Sequence, residues 1–307
     1  MNAVGHTVNT LFGCHFRMMA FANGLCERMN FVEIIGRLAP GDALQMTGEL
    51  GSVQVRRDES GYSLTEEPLA LQGFNTPWQM LANCLYYNSW VGPQLRLVVF
   101  AGEALPRPQI AVEAVESFGQ AGHRLRQFAS DLIAPAPVEE LPLDDPRDHG
   151  KDFGTRVEPL LGTSEVLHRR IVPALSPPGV LLDFQDWLVH LFPGSRQADV
   201  DILVPITALN ESNDLDGLYL RGVLELNSVH VLGQDSVLEC DEDLDILFLS
   251  SSFSWDQVER DPQHAVLSVL GKAIEISKRL EGESPDNFTA PLKPDVDDLA
   301  FFYMNRV

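Results

Sequence analysis

Residues 135–162 constrain this chain more than any other stretch, because Pro135, Pro137, Pro142, Pro146 and Pro159 fall there together with Gly150 and Gly154. Proline removes a backbone donor and fixes φ, so no long helix or central strand runs through such a segment. Apolar-periodic sequence flanks it on both sides. The chain therefore reads as two bodies, 1–134 and 163–285, joined by a Pro/Gly/acidic linker over 135–162 and followed by an acidic, proline-rich tail over 286–307. A length of 307 residues gives each body enough chain for a core of its own.

In the first body, residues 7–38 carry helical periodicity that Pro40-Gly41 ends. Three short β-rich stretches follow, 43–49, 52–57 and 62–65, separated by Gly51 and the Asp58-Glu59-Ser60-Gly61 turn, which predicts an antiparallel meander. Thr76-Pro77 supplies an N-cap and a preset first helical residue for a helix bearing Trp78, Leu81, Leu85 and Tyr86. The run 95–101 predicts a strand. After Pro106 and Pro108 a long helix is expected to about Leu132, with Ala111, Val115, Phe118, Gly122, Leu125, Ala129 and Leu132 on one face.

The second body opens with helical sequence, clearest over 181–192 and ended by Pro193-Gly194. The run 200–209 predicts a strand with Pro205 inside it, placing it at an edge or a bulge. A helix is expected over 218–226, a hairpin from 236–240 and 245–252 around an acidic turn, and a last helix capped by Asp261-Pro262. Pro108–Val115 matches Pro262–Val269 at five of eight positions, an offset of 154. With the shared order of elements, that match predicts an α+β fold of two tandem modules, each a twisted antiparallel sheet packed with helices.

The segment Leu220-Arg221-Gly222-Val223-Leu224-Glu225-Leu226-Asn227, then Gly233, Ser236–Asp241 and Asp245–Ser250, resembles the back half of type III secretion chaperones of the Tir-chaperone (CesT-like) class. A weaker echo lies in Leu81–Leu85, Leu95–Ala101 and the helix from Gln109. The resemblance implies two copies of an α-β-β-β-α-β-β-α module, forming a pseudo-dimer within one chain or a homodimer. It also implies a cytoplasmic protein that holds an extended N-terminal segment of a secreted effector, or a regulatory partner, through apolar grooves and strand addition.

Charge bears on partners. The formal net charge is −22, and 25 of the 44 acidic residues lie beyond residue 162 against 10 basic ones. A field of that sign disfavours nucleic acid and anionic lipid surfaces and favours basic protein segments. No basic leader precedes an apolar stretch and no apolar run reaches membrane-spanning length, so a cytoplasmic protein without membrane insertion is expected. Cys14, Cys26, Cys84 and Cys240 lie far apart, giving neither a disulfide framework nor a zinc knuckle.

The common nucleotide, hydrolase and zincin signatures are absent, so no catalytic residue, cofactor or metal is assigned. Asp241-Glu242-Asp243-Leu244-Asp245 lacks the glycine and the distal glutamate of a calcium loop and reads as a solvated hairpin turn. Cys14-His15 points to a core thiol; His168, His190, His230 and His264 have no ligand or triad spacing. Trp187 and Trp255 read as core residues or as partner-binding anchors.

For strand addition the residues singled out are Val204, Ile206, Leu247 and Leu249 in the second module, with Leu97 and Val99 in the first. Phe301, Phe302 and Tyr303 form a cluster in the tail that would cap an apolar groove until a client arrives. Deleting 291–307 would then tighten client binding. An immunity or antitoxin-like protein, whose acidic half blocks a basic toxin active site, is the alternative; an enzyme without a familiar motif is the second.

Overall fold

The computed structural model describes residues 5–8, 16–19, 35–48, 51–59, 61–91, 94–133, 153–172, 179–194, 199–211, 214, 216–241 and 246–283. Its secondary structure is mixed α+β with two antiparallel sheets. Chain contacts gather into two compact units. The first comprises residues 1–75, 94–137 and 224–234; the second comprises 76–93, 138–223 and 235–307. Neither is contiguous, in contrast to the uninterrupted spans expected from the linker.

The first unit holds a seven-stranded sheet formed by β1 (Gly5–Val8), β2 (Phe16–Met19), β3 (Ala43–Gly48), β4 (Gly51–Asp58), β5 (Gly61–Thr65), β6 (Leu95–Val98) and β7 (Arg107–Val112), in the order β1-β2-β3-β4-β5-β7-β6. The meander β3–β4–β5 follows the sequence expectation. Two expectations are corrected. Residues 7–8 and 16–19 of the helix expected over 7–38 belong to paired strands, and the rest of that span lies mostly outside the described residues.

The long helix expected from Pro108 is strand β7 over 107–112, and helix α2 begins only at Phe118 (Phe118–Ile133). Strand alternation places Ile110 and Val112 on one face and Gln109 on the other, and pairing on both sides outweighs the helical spacing. Pro108 costs this strand no ladder bond with β6. Its carbonyl faces β5, accepting from Glu66 N at 3.0 Å, and its missing N–H lies on that same side. The apolar face, with Val53, Val55, Tyr62, Leu64, Leu95, Ile110 and Val112, packs on α2, where Tyr62 and Phe118 meet edge to face at 5.3 Å.

The second unit holds β8 (Ile171–Val172), β9 (Val180–Asp183), β10 (Leu188–Pro193), β11 (Asp199–Ala208), β12 (Ser236–Asp241) and β13 (Ile246–Ser254), in the order β12-β13-β11-β10-β9-β8. Helix α1 (Pro77–Val91) of the first half belongs to this unit, with α3 (Phe153–Gly162), α4 (Glu165–His168), the start of α5 (Leu218–Leu226), α7 (Trp255–Arg260) and α8 (Pro262–Glu283).

The helix expected over 181–192 is the hairpin β9–β10. Asp183 makes the turn: its carboxylate accepts from Gln185 N at 2.8 Å, and Gln185 adopts φ +69°, a left-handed conformation. The last ten residues of the expected linker are helix α3, while 134–152 and the tail, including Phe301, Phe302 and Tyr303, lie outside the described residues. The 108–115 and 262–269 segments, matched in sequence, fold differently: one runs through β7, the other opens α8. A stronger repeat lies in the topology. Strands β3, β4, β5, β6, β7 and strands β9, β10, β11, β12, β13 each take the same spatial order, with a helix before the fourth strand and another after the fifth.

Candidate binding surfaces

Each sheet ends in a strand that needs something to cover its open backbone, and the covering comes from distant sequence. In the first unit, cross-strand register puts Gln54, Arg56 and Asp58 of β4, Ser63 and Thr65 of β5, Gln109 of β7 and Arg96 of β6 on the face opposite α2. That face is polar, and residues 224–234, which include α6 (Val229–Leu232), engage it. Gln109 organises one contact: its amide donates to Thr65 Oγ1 at 3.0 Å while its carbonyl oxygen accepts from Val229 N at 2.8 Å.

Arg96 organises the other. Its side chain is 0% exposed, and its guanidinium donates to the carbonyls of Asn227 at 3.2 Å, Gly233 at 3.1 Å and Gln234 at 3.4 Å. These carbonyls lie at the ends of two short helices, where backbone acceptors otherwise go unpaired. Close by, burial pushes the Asp58 carboxyl above its ordinary range against the opposing pull of Arg56, Arg57 and Arg96. His230 is held below the ordinary imidazole value, first by burial and then by Arg56.

The edge of β6 is covered by the same segment. Leu97 pairs with Pro108, whose backbone faces β5, so the Leu97 carbonyl points to the open side, where Asn227 Nδ2 donates to it at 3.3 Å. Two residues on, Val99 N donates to Leu224 O at 3.3 Å.

The second unit repeats this arrangement with the roles of the halves exchanged. In β12 the Leu238 carbonyl accepts from Asn88 Nδ2 of α1 at 3.5 Å, and Cys240 Sγ approaches Ala82 O at 3.4 Å. Lys272 of α8 donates to Ser236 Oγ at 2.9 Å, which places α8 on the Ser236–Leu238–Cys240 face of this sheet. The opposite face carries a buried apolar cluster of Leu181, Leu188, Leu203, Ile246 and Phe248.

All six residues singled out for strand addition are core side chains. Val204, Ile206, Leu247, Leu249, Leu97 and Val99 are each 0% exposed. β11 and β13 are interior strands paired on both sides, so neither offers an edge to a client. The Pro205 bulge is present: register shifts between Pro205 and Thr207, leaving Ile206 as the extra residue and interrupting the alternation that paired it with Val204. At Leu97 and Val99 the edge exists but Asn227 and Leu224 already occupy it.

The residues that organise these surfaces, Arg96, Gln109, Asn88 and Asn227, carried faint signals: a lone arginine in an apolar strand, and an Asn-Ser pair in both halves, at 88–89 and 227–228.

The remaining chemistry is core-like. Burial raises the Cys84 thiol well above its ordinary value, and Cys240 is likewise buried. His190 lies between Leu181 and Leu203 on neighbouring strands, and burial pulls it down to about 3. Trp255 takes Arg156 over its ring, 3.7 Å from the centroid, and meets Phe153 at a tilt with ring centroids 5.6 Å apart, so it packs between α3 and α7. Asp241 ends β12 and Ile246 starts β13, while the acidic residues between them, like Cys14-His15, lie outside the described residues. Among the described residues no group of three His, Cys, Asp or Glu side chains is placed to hold a metal ion, and no helix is long and apolar enough to cross a membrane. No protein-family model matches the chain, and no curated protein matches it.

Proposed function

We propose that this chain is a non-catalytic, chaperone-like binding protein that holds an extended segment of a secreted effector or a regulatory partner. The observation that carries the reading is the element order of the second half, α3-β9-β10-β11-α5-β12-β13-α8, with short helices interspersed and one added two-residue strand, β8, before β9. It is the α-β-β-β-α-β-β-α order that the likeness to type III secretion chaperones implies. The strand order common to both sheets supports two tandem modules of that kind.

The edge offered to the client is β8. Arg170 O accepts from Asp183 N at 2.8 Å, so Ile171, one residue on, turns its backbone groups outward, and among the described residues no strand pairs with β8 on that side. The net acidity of the chain beyond residue 162 favours a basic or neutral client segment in a cytoplasmic setting.

A photo-crosslinking residue at the exposed position 169, beside β8 in the full chain expressed in its native host, tests this. The expected result is crosslinking to N-terminal segments of secreted proteins, lost in Ile171→Pro, which removes the outward N–H without removing a bond to β9. Capture of a folded toxin domain through its active site, or crosslinking unaffected by Ile171→Pro, overturns it.

A further inference from the structure

The two units share one device in mirror-image form. Asn88, from the first half, donates to the outward Leu238 carbonyl of the second half's edge strand; Asn227, from the second half, donates to the outward Leu97 carbonyl of the first half's edge strand. Both asparagines are 0% exposed, both precede a serine, and both sit at or beside the C-terminal part of the helix that enters the fourth strand of its module.

An amide buried against a carbonyl excludes water from that edge and demands its partner, since an unpaired group there carries the full desolvation cost. The first unit adds Arg96 on three carbonyls of residues 227–234 and Gln109 on Val229 N, so its selectivity for that segment is polar and directional as well as apolar.

We infer that residues 1–137 and 138–307 are two obligate partner chains that happen to be covalently joined: each presents an edge-strand surface built to take one kind of occupant, the asparagine-bearing helical segment of the other half. Joining the two in one chain then raises their effective concentration for each other. The recognition chemistry is a short helix delivering a side-chain amide to an outward strand carbonyl, and in the first unit a pair of helix ends delivering carbonyls to a guanidinium. This inference stands independently of the proposed client.

The test uses the full chain with a protease site inserted between residues 140 and 149. After the intact protein has folded and been cut, the expected result is that the two pieces stay together as a 1:1 particle at micromolar concentration, with the size and circular dichroism of the uncut protein. They should part only in denaturant. Asn227→Ala and Asn88→Ala should each raise the dissociation constant of the cut protein at least about fivefold, since each leaves a buried carbonyl without its donor. The exposed substitution Arg279→Ala should leave it unchanged. Because each asparagine change is small, the variants remain folded enough to be read.

Pieces that separate on a sizing column under native conditions overturn the inference. So does a cut protein whose dissociation constant ignores both asparagines. A 2:2 particle of twice the mass also overturns it, since the segments would then be exchanged between copies.

Discussion

Replacing Arg96 by methionine removes a fully buried charge from the first unit while keeping an unbranched apolar stem in its place. Three acceptors lose their donor: Asn227 O, Gly233 O and Gln234 O, at 3.2, 3.1 and 3.4 Å. A charge-assisted bond contributes roughly 1.5–3 kcal/mol net, and an orphaned buried carbonyl costs about 1–3 kcal/mol. The two shorter bonds set the scale at about 4 kcal/mol, with the 3.4 Å contact adding little. Methionine gives back on the order of 1 kcal/mol, because a desolvated guanidinium is replaced by apolar packing.

The expected net loss is therefore about 3 kcal/mol. In a unit of this size that corresponds to a fall in Tm of roughly 6–12 °C. Urea denaturation followed by circular dichroism reads it as a lower midpoint with an unchanged slope. Arg96→Lys should fall between, since a single ammonium reaches fewer of the three carbonyls than a planar fork does. An Arg96→Met protein within about 1 kcal/mol of the parent, or one no more destabilised than by an exposed Arg279→Met change, refutes the reasoning.

Two further outcomes follow from the second unit. His190 has an ordinary value of 6.5 unfolded and about 3 folded, so the unfolded chain binds the proton first. Stability is undisturbed above pH 6.5 and falls as pH drops from 6.5 toward 3, by about 2 kcal/mol at pH 5. His190→Leu should flatten the urea midpoint against pH in that window, and an unchanged slope counts against a neutral buried imidazole. Asp214 caps α5 from a buried position, its carboxylate accepting from Tyr219 N at 3.0 Å and Leu220 N at 3.1 Å. Asp214→Ala should cost about 1–2 kcal/mol and speed amide exchange in the first turn of α5.

Local sequence carried most of the second half's plan. The Pro205 bulge, the β12–β13 hairpin and the Asp261 cap, whose carboxylate accepts from His264 N at 2.8 Å, are short-range features with distinct residue signatures. The misread segments are those where two periods fit the same residues. Ala111, Val115 and Phe118 satisfy a helix face, yet Ala111 belongs to a strand held by neighbours on both sides. Leu181–Phe192 is apolar enough for either state, and the Asp183 side-chain turn decides it.

The candidate binding residues failed for a different reason. Alternation says which residues share a face, but strand order, which depends on long-range pairing, says whether that face or edge is open. Val204 and Leu249 are cross-strand partners deep in the sheet, and nothing in their own neighbourhood distinguishes that from an edge. Arg96 left only a faint trace in the sequence for the same reason: its acceptors lie more than 130 residues away.

That separation sets a schedule for the nascent chain. The first unit's strands and α2 are complete once residue 133 has been synthesised, but the segment that covers β6 and takes up Arg96 ends at Gln234. At roughly 5–20 residues per second the intervening hundred residues take about 5–20 s, long compared with the folding of a small sheet. During that interval the ribosome carries a nearly finished domain with one unsheltered β-strand and an arginine without its acceptors. A stalled or truncated message ending between these points yields a product primed to join its neighbours edge to edge, and translation speed across residues 138–234 becomes a determinant of how much of this protein reaches its final state.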